Sequence, residues 1–327
     1  MPANSPLPFP ARPIERCRAG TTIGPFPAAC GFSRRAASIC LPCLPTPLAM
    51  HPLRFFSAFP LSLLTVCTAA VAGEGAAGGA TALDSTVWAW NDLAVVRTPA
   101  GERRDVVDRS TATLRGLECH ITTLAAGRAS HEPHRHAQEE LIVVKQGTVD
   151  VSINGKHQRV GSGSVVFYAS NDLHNLQNVG ESPATYLVFN FRTAATGVPN
   201  AATGGPADIL GSCVLDWEQL PVIPRKTGER RELFHSPTAT LASIEGHVTT
   251  VPAGVAAHAA HRHPDEELLI VNEGEVEVTV DGATRRIGPG SVAFFASNSL
   301  HGLRAAEGSP ATYYALRFVT ASTPKAH

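Results

Sequence analysis

The feature that most constrains this chain is that it contains itself twice. Gly101-Glu102-Arg103-Arg104 returns as Gly228-Glu229-Arg230-Arg231, and Thr111-Ala112-Thr113-Leu114 returns as Thr238-Ala239-Thr240-Leu241. Ser182-Pro183-Ala184-Thr185-Tyr186 returns as Ser309-Pro310-Ala311-Thr312-Tyr313, and Trp90 as Trp217. Every pair is 127 positions apart (228 − 101, 238 − 111, 309 − 182, 217 − 90). A register that never slips implies two copies of one fold with loops of equal length. The Ala-, Gly- and Pro-rich stretch 193–211 between them reads as a linker.

Inside each copy the hydrophobic period is 2. Val149, Val151 and Ile153 alternate with Thr148, Asp150 and Ser152, as Val276, Val278 and Val280 alternate with Glu275, Glu277 and Thr279. That is the pattern of half-buried strands. Asn154-Gly155 and Asp281-Gly282 then mark two-residue hairpins. Gly161-Ser162-Gly163 and Gly288-Pro289-Gly290 are further turns, followed by the apolar runs Val165–Tyr168 and Val292–Phe295. Neither half carries a long amphipathic helical pattern. The fold class expected is all-β, with two tandem antiparallel barrels or jelly rolls.

Ten of the fourteen histidines form five pairs at the same offset: His120/His247, His131/His258, His134/His261, His136/His263 and His174/His301. The densest motif is His134-Arg135-His136, with Glu140 four residues on, repeated as His261-Arg262-His263 with Glu267. On a strand, residues i and i+2 face one way, so each pair of imidazoles enters one space while the arginine points out. Glu140 and His174, or Glu267 and His301, complete a set of three imidazoles and a carboxylate. Such a set suits one divalent transition metal ion per copy, two per chain, with Mn, Fe, Co, Ni, Cu and Zn all compatible. An octahedral ion held by four protein ligands keeps two positions for substrate or oxygen.

These residues give the chain a resemblance to the cupin superfamily, and specifically to a bicupin. One family motif is present as Gly127, His134-Arg135-His136, Glu140 and Gly147, and again as Gly254, His261-Arg262-His263, Glu267 and Gly274. The other is present as Gly163 to His174 and Gly290 to His301. The resemblance implies two small β-barrels, each with a metal on His134, His136, Glu140 and His174 or on His261, His263, Glu267 and His301. Two departures stand out. The Pro-x-Gly turn of the family is replaced by Ala169-Ser170-Asn171 and Ala296-Ser297-Asn298, where Asn can still take positive φ. Asn178, four residues past His174, is matched by Ala305.

Other residues receive plainer readings. His131 and His258, three residues ahead of the first ligand, are expected beside the metal site as supporting groups rather than as ligands. His120 and His247 read as hydrogen-bonded strand histidines. Glu139 and Glu266 are expected to face outward and pair with arginines, and Phe167, Tyr168, Phe294 and Phe295 to lie in the core. No residue beyond the metal ligands is assigned a catalytic role.

Charge and cysteine use set the first seventy residues apart. Of 27 basic and 28 acidic residues, six arginines and one glutamate fall in residues 1–72, so the remaining 21 and 27 give the rest −6. A body of that sign argues against nucleic acid and anionic lipid as partners. Residues 1–49 read as disordered or untranslated. Met50 begins a second start: His51-Pro52-Leu53-Arg54 is a short basic region, Phe55 to Val71 is apolar, and Ala70-Val71-Ala72 is an A-x-A site. Residues 50–72 therefore read as a signal peptide cleaved after Ala72, with a periplasmic or secreted product and no membrane span in the mature form. Residues 73–83 then form a linker, 84–192 and 212–320 the two barrels, and 321–327 a tail. Cys17, Cys30, Cys40, Cys43 and Cys67 belong to the leading segment. Only Cys119 and Cys213 remain in the body, as one disulfide or as two buried thiols.

The function this implies is an exported metal-dependent oxidoreductase or decarboxylase, of dioxygenase or decarboxylase type, acting on a small polar or acidic metabolite. The alternative is a non-catalytic periplasmic cupin that binds a small sugar or organic acid. A homo-oligomer is compatible with either.

Overall fold

The computed structural model describes residues 81–198 and 209–325. The upstream segment, the Met50–Ala72 segment with its cleavage site, the five leading cysteines and residues 199–208 of the linker lie outside the described residues. The first half contributes β1 (Thr86–Trp88), β2 (Val96–Thr98), β3 (Gly101–Arg109), β4 (Gly116–Leu124), β5 (Glu139–Gln146), β6 (Val149–Ile153), β7 (Lys156–Val160), β8 (Val165–Tyr168), β9 (His174–Asn178) and β10 (Ala184–Arg192). The second half repeats them as β11 (Cys213–Leu215), β12 (Ile223–Arg225), β13 (Gly228–Ser236), β14 (Ser243–Val251), β15 (Glu266–Glu273), β16 (Val276–Val280), β17 (Ala283–Ile287), β18 (Val292–Phe295), β19 (His301–Ala305) and β20 (Ala311–Val319). No helix among the described residues is long and apolar enough to cross a membrane.

All pairings are antiparallel, and each half is a seven-stranded sheet with a three-stranded one. The hairpin signals act as expected. Asn154 and Gly155 (φ 49 and 78°) join β6 to β7, and Asp281 and Gly282 (φ 45 and 91°) join β16 to β17. Positive φ at both central residues gives the turn a twist that matches the strands. Asn171 and Asn298 take φ of 63 and 61°, so asparagine does support the turn ahead of the third histidine.

The halves are not closed units. The large sheets run β11-β8-β5-β10-β4-β3-β2 and β1-β18-β15-β20-β14-β13-β12, so the first strand of each half adds to the other half's sheet. The exchanged arms continue into reciprocal contacts. Trp217 covers Gly163, where an added Cβ would lie 2.5 Å from the indole, and Trp90 covers Gly290, where the gap would be 2.4 Å. Neither glycine can carry a side chain under its tryptophan. The Trp90 and Trp217 backbone N–H groups donate to Ser291 and Ser164 Oγ at 3.0 and 3.1 Å.

The sheets that hold the candidate site are buried on both faces. Along β5, Ile142 and Val144 pack inside the first barrel with Val149, Val151 and Tyr186, while Leu141 and Val143 join a core shared by both barrels. That shared core includes Phe191 against Phe318, ring centroids 5.4 Å apart, and Phe167 against Phe234 at 6.3 Å. This double burial explains why β5 and β15 read as continuous apolar runs rather than as alternating strands. Cys119 is a free, buried thiol, so it does not pair with Cys213.

The outward reading of Glu139 and Glu266 is corrected here. Both face away from their cups, but both are fully buried, at 0% exposure, and the side chains that bond them among the described residues are threonines. Glu139 Oε2 accepts from Thr238 and Thr240 Oγ1 at 2.6 and 2.7 Å, and Glu266 Oε2 accepts from Thr111 and Thr113 Oγ1, both at 2.6 Å. The loops between β13 and β14 and between β3 and β4 of the other half lie where solvent was expected.

Candidate metal centres

Each candidate centre begins with an isolated bridge between two backbones. His134 N–H donates to His174 C=O at 3.1 Å and His174 N–H returns to His134 C=O at 3.0 Å; His261 and His301 repeat the exchange at 2.9 and 3.0 Å. A doubly bonded antiparallel pair sets its side chains side by side. The rings of His134 and His174 are accordingly 4.6 Å apart, and those of His261 and His301 4.8 Å. His136 and His263 lie two residues on and close the triangle, with ring centroids 4.7 and 4.8 Å from the third histidine. In each group the potential ligand atoms lie within 4.8 Å of one another.

The ring nitrogens are sorted by their partners. His136 and His174 place Nδ1 on the carbonyls of Gln138 and Asp172, at 2.9 and 2.8 Å. His263 and His301 place it on those of Asp265 and Ser299, at 2.8 and 3.0 Å. A carbonyl only accepts, so Nδ1 carries the proton, and in the neutral ring Nε2 keeps its lone pair. In His174 and His301 that Nε2 is buried with no hydrogen-bond partner among the described residues. Behind these rings lie aromatic faces: Tyr168 stacks on His174 at 4.2 Å and Phe295 on His301 at 4.3 Å. Glu140 Oε2 is 3.3 Å from His136 Nε2, and Glu267 Oε2 is 3.1 Å from His263 Nε2 and 3.8 Å from His301 Nε2.

Electrostatics follows from that packing. Burial, then the neighbouring imidazoles of His131, His174 and His136, pull His134 down to about 4. Burial also lowers His174 and His261. These rings are neutral at pH 7, the state a ligand needs. Burial opposes charge on His136 and His263 too, but the adjacent Glu140 and Glu267 outweigh it and the net shift is upward. Burial pushes the Glu267 carboxyl up, yet its bonds and charge interactions with His263 and His301 win and hold it at about 2. A buried carboxylate beside three clustered imidazoles, one of which has an orphaned Nε2 in each barrel, is the donor chemistry of a divalent cation site. The residues present therefore fit a metal ion in each barrel.

His131 and His258 are outside both triads. Their rings meet His134 and His261 edge-on at 4.0 and 4.5 Å, and their Nδ1 atoms are 3.0 Å from the Glu132 and Ala259 carbonyls. Each lines its cup.

Above each triad is a cavity, of ≈ 550 Å³ in the first barrel and ≈ 430 Å³ in the second. Their walls differ in a way that motif reading missed. Directly across the ladder from Glu140 stands Asn190, and from Glu267 stands Arg317. In the first cup Asn190 Nδ2 donates to Glu118 at 2.8 Å, Arg103 approaches the same carboxylate at 3.3 Å, and His120 Nδ1 is 2.7 Å from it. In the second, Arg317 bonds Asp265 at 2.5 Å and reaches Glu245 at 3.7 Å, while Arg230 lies 3.5 Å from Glu245. His247 is left with Nδ1 buried and without a partner among the described residues, and burial, then Arg230, pulls it down to about 4. The signal was available in the repeat itself, as matched columns holding different residues.

A family model described as "Cupin domain" matches residues 120–190 and again 247–317. Solved structures agree in fold. The E. coli protein Ylba is 11% identical, with a TM-score of 0.58, and the match covers 77% of this chain and 97% of that one. A variant of the Bacillus subtilis oxalate decarboxylase OxdC is 17% identical, with a TM-score of 0.55 and coverages of 74% and 79%. A Lactobacillus farciminis oxalate decarboxylase in complex with formate is 15% identical, with a TM-score of 0.56 and coverages of 75% and 89%. No curated protein matches the chain.

Proposed function

The chain belongs to the cupin superfamily as a bicupin, and we propose that it is a metalloenzyme that holds one divalent metal ion in each barrel and acts on a small organic acid, by decarboxylase- or dioxygenase-type chemistry. His134, His136, Glu140 and His174 would hold the first ion, and His261, His263, Glu267 and His301 the second. The observation that carries this reading is the pair of buried Nε2 atoms, on His174 and His301, that lie within their triads and have no hydrogen-bond partner among the described residues. Leaving such atoms unsatisfied costs about 1–3 kcal/mol each, which a metal ion would recover. A bound ion would supply Lewis acidity to polarise a carboxylate or enediol. The protein's own part is to hold the imidazoles in one tautomer through backbone carbonyls, to keep the glutamate ionised, and to shape a cavity large enough for a small polar molecule. The oxalate decarboxylases among the structures of similar fold make a small dicarboxylic acid the first substrate to try.

Elemental analysis of protein taken from its native compartment tests the metal, with assays for CO₂ release and O₂ uptake on small mono- and dicarboxylic acids. Two equivalents of metal and turnover are expected. Fewer than one equivalent per chain would sink the reading, and tight binding of an acid without turnover would make this a binding protein instead. The reading includes export, supported by the Met50–Ala72 pattern. A mature N-terminus at Gly73 in protein recovered from outside the cytoplasm is expected; one at Met1 would overturn that part.

A further inference from the structure

We propose that Glu139 and Glu266 are positioning residues through which each barrel holds the metal centre of the other. The inference rests on the metal reading above. Each glutamate sits between two residues that touch the same ligand. On one side, the Gln138 carbonyl takes the Nδ1 proton of His136; on the other, the Glu140 carboxylate meets its Nε2. Asp265 and Glu267 flank Glu266 and do the same for His263. Strand alternation then sends the middle side chain the opposite way, out of the cup and into the other barrel.

What receives it is built for the purpose. Thr238 Oγ1 accepts from the Leu241 N–H at 2.8 Å, so its own proton is turned toward Glu139, to which it donates at 2.6 Å. Thr240 donates to the same oxygen at 2.7 Å. The loop is closed on itself by Thr238 N–H to Leu241 C=O at 3.0 Å. Thr111, Thr113 and Leu114 repeat each of these contacts toward Glu266, with Leu114 N–H on Thr111 Oγ1 at 2.9 Å. This gives the identical Thr-Ala-Thr-Leu sequences a common task. A buried carboxylate held by oriented hydroxyls is fixed in position, because moving it would strip charge-assisted hydrogen bonds where no water can replace them. Fixing it fixes the two residues on either side, and so the orientation of His136 or His263. The threonines of the second barrel thus set the first cup, and those of the first barrel the second.

The crossing gives a test with a direction. Two single-cup parents are made, His261→Ala/His263→Ala, which leaves the first cup, and His134→Ala/His136→Ala, which leaves the second. Each apo protein is titrated with Co²⁺ alone and followed by its visible d–d bands. Thr238→Val/Thr240→Val should weaken Co²⁺ binding by about tenfold or more in the parent that keeps the first cup, and change its band shape. In the other parent the same pair should alter binding by less than about twofold, although it lies in that cup's own barrel. Thr111→Val/Thr113→Val should give the mirror result, and Thr→Ser at the same positions should restore both affinity and spectrum. Equal weakening of both cups, or of neither, overturns the proposal. If the paired valine variant does not fold, Thr240→Val alone, which removes one hydroxyl, is read by the same criterion. Should neither parent take up Co²⁺, it is the metal reading that falls, and this one with it.

Discussion

The two cups share their candidate ligands and differ one strand away. In the first, the residue across from Glu140 is Asn190, a neutral amide, and Glu118 is gathered by Asn190, Arg103 and His120. In the second it is Arg317, and the wall becomes a run of alternating charges from Arg230 through Glu245, Arg317 and Asp265. Asp265 stands 3.6 Å from His263 Nδ1, where the first cup has the neutral Gln138. The lesson is that the repeat preserved the candidate ligands and relaxed what surrounds them. Surroundings decide which ligand enters and how a cup answers to pH, so equal ligand sets do not imply equal cups.

The largest effect should come from the candidate ligands themselves. His136→Ala and His263→Ala are each expected to lower bound metal by one equivalent per chain, measured by elemental analysis after dialysis, and the double variant by two. That outcome makes the cups independent in occupancy. Loss of both equivalents from one substitution would replace the comparison with a single shared site.

How far the sequence reached depended on the kind of contact. The barrels, their hairpins and the histidine triads follow from local spacing: an alternating strand, a positive-φ Asn-Gly or Asp-Gly, two imidazoles at i and i+2. The glutamate four residues on was read with the histidines as part of the same set, and Glu140 and Glu267 lie 3.3 and 3.1 Å from His136 and His263. What spacing could not reveal is where a segment goes once it leaves its own half. The exchange of β1 and β11 depends on pairing between strands roughly 200 and 50 positions apart, and a three-residue strand carries no pattern that names its neighbour. Glu139 and Glu266 were misplaced for the same reason. Period 2 gave the correct face of the strand, but whether that face meets water or the other half is a tertiary fact. The loss of asparagine at Ala305 was visible, and its counterpart Asn178 is buried, holding Gly180 N–H and the Leu124 and Ser182 carbonyls at 2.9–3.0 Å. The sequence could show that difference without showing what it held.

The next effect in size concerns acid. His247 titrates at about 4 in the folded chain, below the ordinary 6.5, so the fold prefers its neutral form. A base whose folded pKa is depressed contributes stability that is fully present above its unfolded pKa and is lost as pH falls toward the folded one. The second barrel should therefore weaken between pH 6.5 and about 4, by at most about 3 kcal/mol. His247→Gln should flatten that loss in a urea titration repeated across the window. The matched His120→Gln, at a ring that lies 2.7 Å from Glu118, serves as the comparison. Equal flattening by the two variants would erase the distinction drawn between the walls.

The smallest effect on stability is also the sharpest test of what separates the cups. Arg317 is 34% exposed along its side chain, so solvent screens its pairs with Asp265 and Glu245. Arg317→Asn should cost only about 1 kcal/mol and reduce the dependence of stability on salt. Its larger consequence is local. With the guanidinium gone, the second wall acquires the residue the first one has, and Glu245 loses one of its two arginines. It then becomes available to His247 as Glu118 is to His120. The imidazolium form of His247 gains an acceptor, so its titration, followed by NMR, should move up from about 4 toward the ordinary range. An unchanged titration would mean that burial and Arg230, and not the residue opposite Glu267, set the character of the second cup.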